Sequence, residues 1–371
     1  MSEKDLGSWL LELSPSNPIV PDDAQNLVRQ SLLLWSACGR DVPERSSAQR
    51  TSRRNVPPAS RDLRSVCAIG AFDGVHVGHR ALLARARAEA EARGDELVVV
   101  TFSPDPSRVL TPVDPQPQLL SCEDRLRALA IAPGVDRLVT IPFTPELAAL
   151  PYERFVREEL GSRMALDCVV VGEDFCLGAG GAGTVGALRE LGRVDGFSVI
   201  GVALADAGGA PVTATRVRDL LGSGSIEDAA ELLGRCHFVS GRVVHGRGEG
   251  TGFGFPTANV EVREGLCLPA EGVYAGYVVA SGTAWPAAIN VGRPRSFSPG
   301  EEGEAFLEAT LLGFSGDLYG AEVSVVFVRW LRAPRTFSSV SELERVVLGN
   351  VSWVREALGE DGIDLGREVV A

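Results

Sequence analysis

Two of the chain's four histidines, His76 and His79, fall in one short stretch, GAFDGVHVGH, with only Val77 and Gly78 between them. The apolar run SVCAIGAF leads into them and the helix-forming ALLARARAEAEARG follows. The pair therefore sits where strand gives way to helix, the place at which free backbone N–H groups and the positive end of a helix dipole gather. Three readings of the pair stand: a grip on an anion such as phosphate, a metal site with Asp73 close by, or ordinary packing. The spacing matches no zinc pattern, and zinc needs further ligands. A second feature with chemical potential is the run Gly246, Gly248, Gly250, Gly252 and Gly254 ahead of PTAN (256–259). Without Cβ atoms, backbone N–H groups there can approach a phosphate, although such a run by itself is more often a flexible turn and only the following PTAN tips the balance. Lys4 is the only lysine, so a Walker-type GxxxxGK[ST] loop is excluded and cationic contacts fall to arginine. His237 and His245 flank HFVSGRVVHG, where strand-end histidines commonly satisfy local hydrogen bonds.

The elements that would position these residues fall into three segments. A chain of 371 residues with 45% hydrophobic content has room for two domains with cores of their own. Residues 1–62 stand apart: Leu27 to Trp35 could form one amphipathic helix, and Gly39 to Arg64 is an Arg/Ser/Pro-rich stretch without apolar periodicity. They read as a partly disordered extension, either dispensable or a docking element. Residues 63–222 alternate apolar strands (SVCAIGAF, ELVVVTF, RLVTIPF, DCVVVGEDF, GFSVIGVAL) with helices (ALLARARAEAEARG, RLRALAI, PYERFVREELG), which predicts a parallel sheet covered on both faces in a Rossmann-like α/β domain. Residues 223–371 turn to strands spaced by glycine-rich turns (HFVSGRVVHG, GVYAGYVVA, AWPAAINVG, EAFLEATLLGF, AEVSVVFVRWL) and end in helical SVSELERVVLGNVSWVREALG, predicting a small antiparallel β-barrel with a C-terminal helix. The net charge of -13 argues against nucleic-acid or membrane partners, and no signal-like or long apolar segment is present. The seven cysteines are scattered with no CxxC, which suits a reducing cytoplasm.

HVGH resembles the HxGH signature of nucleotidylyltransferases. The ordered blocks TFSPDP, VVVGEDF, TATRVR, GFGFPTAN, GVYAG, INVG, FLEATLLGF and GDLYG resemble the bacterial bifunctional riboflavin kinase/FAD synthetase family across about residues 65 to 345. The resemblance implies phosphorylation of riboflavin to FMN in the barrel and adenylylation of FMN to FAD in the α/β domain, each with ATP and Mg²⁺. It further implies that His76 and His79 hold ATP phosphates within a site that includes Gly70, Asp73 and Gly78, that Arg218 and Thr215 reach the phosphates from the TATRVR segment, and that Asp174 lies near them. Phe102 is either a flavin neighbour or a core residue. In the barrel, Glu308 would be the catalytic base, Thr257 and Asn259 would hold Mg²⁺ and nucleotide phosphate, and Gly246, Gly252 and Gly254 would approach the phosphates. Riboflavin, FMN and ATP are the implied small-molecule partners, and the oligomeric state stays open.

The sequence also departs from that family. Its ISSTxIR pattern reads VTATRVR here, with Ala214 in place of the second serine, and its DFRFG followed by an arginine reads DFCLGAGGAG, with Cys176 and small residues in place of basic ones. Asp105 stands where the family often has histidine. In the barrel Thr310, Gly313, Thr251 and Pro334 replace the usual His, Asp, Arg and Glu. Lost charge-assisted hydrogen bonds predict adenylyl transfer slower than phosphorylation, with FMN accumulating ahead of FAD. Two alternatives remain: a pathway-specific paralogue with an active kinase and a weakened or acceptor-altered first domain, and a flavin- or nucleotide-binding regulator without turnover. The retained Glu308, Thr257 and Asn259 argue against the regulator.

Overall fold

The computed structural model describes residues 64–113, 115–130, 132–245, 257–292, 306–335 and 339–364. Contacts group these into two compact units. One runs up to Gln116 and again over Cys122–Ala214; the other takes Pro117–Ser121 and the chain from Thr215 onward.

The first unit is built on five parallel strands: β1 (Arg64–Ile69), β2 (Glu96–Ser103), β3 (Arg137–Pro142), β4 (Ala165–Gly172) and β7 (Ser198–Val202), in the order β3-β2-β1-β4-β7. Two short pieces, β5 (Cys176–Leu177) and β6 (Gly183–Thr184), make a hairpin between β4 and β7. The burial of β1 and β2 almost throughout, and of β4 over Cys168–Val171, reflects their mostly apolar runs, as a sheet covered on both faces demands. This is the α/β architecture that alternating strands and helices predicted. Helix α1 (Val77–Arg93) begins earlier than the ALLARARAEAEARG segment because His76 caps it, and it ends where expected, at Gly94 with φ 73°, whose N–H returns to the last carbonyls. Short α2 (Pro106–Leu110) and α3 (Cys122–Ala130) follow. PYERFVREELG departs from a regular helix: Phe155–Leu160 winds as a π-helix. The wider turn brings buried Phe155 and Leu160 toward one face of the core, which 3.6-residue spacing would splay apart. Helix α4 (Val185–Asp195) packs its leucines on the same core.

The second unit opens with α5 (Ala214–Gly222) and α6 (Ile226–Leu233). Six antiparallel strands then close on themselves: β10 (His237–Val244), β11 (Thr257–Val262), β12 (Gly272–Ala280), β13 (Thr283–Gly292), β14 (Phe306–Leu311) and β15 (Glu322–Arg332), in the order β12-β15-β10-β11-β14-β13, with a β12–β13 pairing completing the barrel. Closure removes exposed strand edges. The sequence had marked GFGFPTAN as a motif rather than a strand, and β11 is the strand that motif begins. The C-terminal stretch forms one helix, α7 (Val340–Leu358), which buries Val351 and Val354 against Ala275 and Leu312. Pro117–Ser121 joins this unit through backbone bonds: Gln118 N–H to the Gly265 carbonyl at 2.8 Å, and Cys267 N–H to the Gln118 carbonyl at 2.8 Å.

Candidate active sites

The first candidate site is the turn between β1 and α1. His76 is buried in extended conformation at the helix N-cap, and its Nδ1 accepts the His79 N–H at 3.3 Å. That acceptor role puts the His76 proton on Nε2. The two imidazoles stack at 3.6 Å with 16° between planes, and the Phe72 ring meets His79 edge-on at 5.3 Å. Burial first, and then the neighbouring His76 and Arg125, hold His79 well below the ordinary histidine range. His79 is thus neutral near pH 7, a hydrogen-bonding group at the helix start. Space at Gly78 is tight: a Cβ there would lie 3.2 Å from the His76 ring and 3.5 Å from the Val212 carbonyl. Asp73 is buried in the turn itself, and Gly70 lies under the Phe72 ring. Phe72 and Val75 both adopt positive φ, 54° and 43°, which is a backbone outlier for a β-branched valine. Among the described residues no group of three His, Cys, Asp or Glu gathers to hold a metal ion.

The remaining first-domain candidates distribute unevenly. Asp174 is exposed in the turn after β4, its Oδ1 occupying the space beside Gly172. Phe102 is 6% exposed and packs on Phe143 and Phe155. Thr215 and Arg218 lie on α5 and belong to the second unit, where Arg218 Nε donates to the Pro117 carbonyl at 2.6 Å. Asp105, the unusual residue of TFSPDP, pairs through Oδ2 with Arg125 Nη1 at 2.9 Å and through Oδ1 caps α2. Sequence reasoning missed Arg125: within RLRALAI it looks like a surface arginine, yet it is 1% exposed.

The second candidate site is a row of polar residues across three barrel strands. Antiparallel register sets Asn259 of β11 opposite Glu308 of β14, and Glu308 opposite Asn290 of β13, with Thr257 opposite Thr310 one step along. Directly opposed residues share a face, so Thr257, Asn259, Glu308, Thr310 and Asn290 line one side. That side is half-buried, while the alternate residues Ala258, Leu307, Ala309 and Ile289 are in the core. Asn290 belongs to the INVG block, and only the register reveals its place beside Glu308. Gly246, Gly252 and Gly254, together with Thr251, lie outside the described residues. His237 serves the fold: its Nε2 meets the Cys267 carbonyl at 2.8 Å, its ring stacks on Phe327, and burial pushes its pKa down to about 4. His245 stacks on Tyr319 at 3.9 Å.

A parallel α/β unit with paired histidines at a helix start, followed by a six-stranded barrel with a carboxylate among hydroxyl and amide groups, defines a two-part enzyme of the nucleotidyl- and phosphoryl-transfer class. Comparison with known proteins makes this specific. Residues 59–216 match the FAD synthetase family model and residues 233–358 the riboflavin kinase model. The bifunctional riboflavin kinase/FMN adenylyltransferase of Pseudomonas fluorescens is 36% identical over 302 residues, covering 81% of this chain and 94% of that one. The Escherichia coli K12 protein of the same description is 34% identical, covering 79% and 93%. A crystal structure described as a macrolide-efflux protein from Streptococcus pneumoniae superposes with TM-score 0.71 at 28% identity, covering 79% of this chain and 94% of that one. No helix among the described residues is long and apolar enough to cross a membrane. The chain belongs to the bifunctional riboflavin kinase/FMN adenylyltransferase family.

Proposed function

We propose that the chain converts riboflavin to FMN in the barrel and FMN to FAD in the α/β unit, using ATP in both reactions, in the cytoplasm. In the barrel, Glu308 accepts the proton of the riboflavin 5′-hydroxyl as that oxygen bonds to the γ-phosphorus of ATP and ADP leaves. The observation that carries this reading is the register placing Glu308 between Asn259 and Asn290, two neutral amides that can orient a carboxylate without neutralising it. Thr257 and Asn259 are neutral oxygen donors two residues apart on the same face. Such a sparse, hard donor set suits Mg²⁺ that arrives with ATP and keeps phosphate oxygens as its other ligands. Bound there, the ion would neutralise charge on the transferring phosphates. In the α/β unit, an FMN phosphate oxygen attacks the α-phosphorus of ATP and pyrophosphate leaves, so catalysis consists of positioning and charge stabilisation. His76 Nε2–H, His79 and the first N–H groups of α1 supply it at the helix start, supported by Gly70, Asp73 and Gly78. Asp174 is proposed to add to the phosphate contacts.

A second reading, an active kinase joined to a slower or acceptor-altered adenylyltransferase, is favoured by Ala214 and by exposed Cys176 at the start of a hairpin without basic side chains. Incubation of the purified protein with Mg-ATP and either riboflavin or FMN, with FMN and FAD resolved by chromatography over time, tests both. FAD formed from supplied FMN more slowly than FMN is formed from riboflavin supports the second reading, and FAD formed from supplied FMN as fast as FMN from riboflavin refutes it. His76→Ala is expected to abolish FAD formation and spare FMN formation; unchanged FAD formation would overturn the phosphate grip.

A further inference from the structure

We propose that Arg125, a residue outside every motif of the site, is a positioning residue for adenylyl transfer: its buried guanidinium fixes the strained loop that presents His76 and His79. The inference rests on the reading of that pair as the phosphate grip. Arg125 projects from α3 with 1% exposure and binds three separate segments. Nη1 donates to the Ala71 carbonyl at 3.0 Å and to Asp105 Oδ2 at 2.9 Å, and Nη2 donates to the Phe102 carbonyl at 2.6 Å. Ala71 is the residue before Phe72, at which the backbone turns to positive φ, and its carbonyl also receives the Thr101 hydroxyl at 3.2 Å. From there Phe72, Gly74 and Val75 carry φ values of 54°, 77° and 43° before the chain reaches His76. Conformations that sparse persist only where their surroundings over-determine them. Two donors on the carbonyl that opens the loop are such a constraint.

The counter-ion is held as firmly as the arginine. Asp105 is 6% exposed, and its second oxygen takes the Ser107 N–H at 3.0 Å and the Ser107 hydroxyl at 2.8 Å, so the carboxylate is fixed in the turn that begins α2. A buried charge is costly unless it is paired and hydrogen-bonded, and here the pairing spans the loop after β1, the end of β2 and the start of α2. The planar fork of arginine reaches all three acceptors at once; the single ammonium of lysine keeps the charge but not that geometry. Asp105 in place of the family's frequent histidine thereby gains a reason, because it is the anchor for Arg125.

The test uses the full chain, whose riboflavin phosphorylation reports on folding independently of the adenylyl-transfer centre. Arg125→Met is expected to lower kcat for FAD formation about 30-fold or more, and Arg125→Lys about three- to tenfold, with KM for FMN and ATP within about threefold of wild type, as misplacement of a catalytic group requires. Riboflavin phosphorylation should stay within about twofold in both. Histidine-selective NMR supplies a readout that lost stability alone does not move. The titratable and charged groups that act on His79 are His76, next to it at the helix start, and Arg125 from α3, with Asp105 paired to the latter. Removing the cation in Arg125→Met should raise the His79 titration point, and Arg125→Lys should leave it in place. Equal losses in both reactions, or wild-type FAD formation by either folded variant, would overturn the proposal. If Arg125→Met does not fold, the kcat of Arg125→Lys decides alone. Should His76→Ala leave FAD formation intact, the phosphate-grip reading fails; should His76→Ala abolish it while the Arg125 variants behave as wild type, only the present inference fails.

Discussion

Gly78→Ala separates stability from chemistry at the His76–His79 pair. The new Cβ would lie 3.2 Å from both Cε1 and Nδ1 of His76, tighter than ordinary contact, and 3.5 Å from the Val212 carbonyl, which is ordinary contact. The His76 ring has little freedom to retreat, since its face stacks on His79 at 3.6 Å and its Nδ1 caps α1 through the His79 N–H. It must tilt or shift by a few tenths of an ångström. Alanine gains up to about 1 kcal/mol over glycine in a helix, while a weakened cap costs about 0.5–2 kcal/mol. The two nearly cancel, so the melting temperature should stay within about 5 °C of wild type. A 1 Å misplacement can cost about a hundredfold, so a shift of a few tenths predicts FAD formation slower by about three- to tenfold. The assay follows FAD from FMN and Mg-ATP, with riboflavin phosphorylation in the same preparation as control. Wild-type FAD formation, or equal loss in both reactions, would refute the reasoning that Gly78 is there to leave room for the His76 ring.

Glu308→Gln keeps the shape and removes the base. It should lower the kcat of phosphorylation by about 10²- to 10⁴-fold with little change in KM for riboflavin, and Asn290→Ala, which removes one neighbouring amide, by about two- to tenfold, both measured by steady-state FMN formation. A fragment beginning at Ser223 loses Leu221, a fully buried side chain whose carbonyl accepts the Ala270 N–H at 2.9 Å. Starting at Thr213 instead should recover about 1.5–3 kcal/mol in urea unfolding. Cys176→Arg with Ala214→Ser should raise the rate of FAD formation by about tenfold or more, because each restored charge-assisted bond contributes about 1.5–3 kcal/mol; no increase in FAD production would show that the basic side chains are not what limits the reaction.

Much of this architecture was written in local pattern. The five parallel strands lie on short apolar runs, and the barrel strands where apolar residues are spaced by glycine turns, because both signals depend only on neighbours along the chain. The His76–His79 site was legible for the same reason: strand, turn and helix start are contiguous, so the residues meet whatever the rest of the fold does. What could not be read is what depends on register or on distant segments. Asn290 stands beside Glu308 only because β13 and β14 pair in one particular alignment, and a one-residue slip would turn it to the core. Arg125 has a helix partner pattern indistinguishable from a surface arginine, and its three acceptors lie 20 to 54 positions away in sequence.

The same distinction changes how the departures in DFCLGAGGAG should be weighed. Read along the chain, Cys176 and the run of Gly and Ala after it stand in place of basic side chains. In the fold, a Cβ at Gly178 would lie 2.6 Å from the Tyr152 backbone nitrogen and one at Gly183 would lie 2.6 Å from the Tyr152 Cβ, while the Ala179 N–H bonds the Leu150 carbonyl at 2.9 Å. Gly178 also has φ 73°, and Gly181 has φ 68° with its open side against Cys176 Sγ at 3.2 Å. The hairpin therefore needs glycine at Gly178 and Gly183 to lie close to Tyr152, and at Gly181 a larger residue would be strained whatever charge it carried. Cys176 is different: it is exposed, begins β5 in ordinary strand geometry and leaves room for a longer side chain. Of the basic positions this loop lacks, Cys176 and the exposed Ala179 are the ones whose restoration the backbone permits, and the deficit in phosphate binding that the sequence implies reduces to Cys176, Ala179 and Ala214.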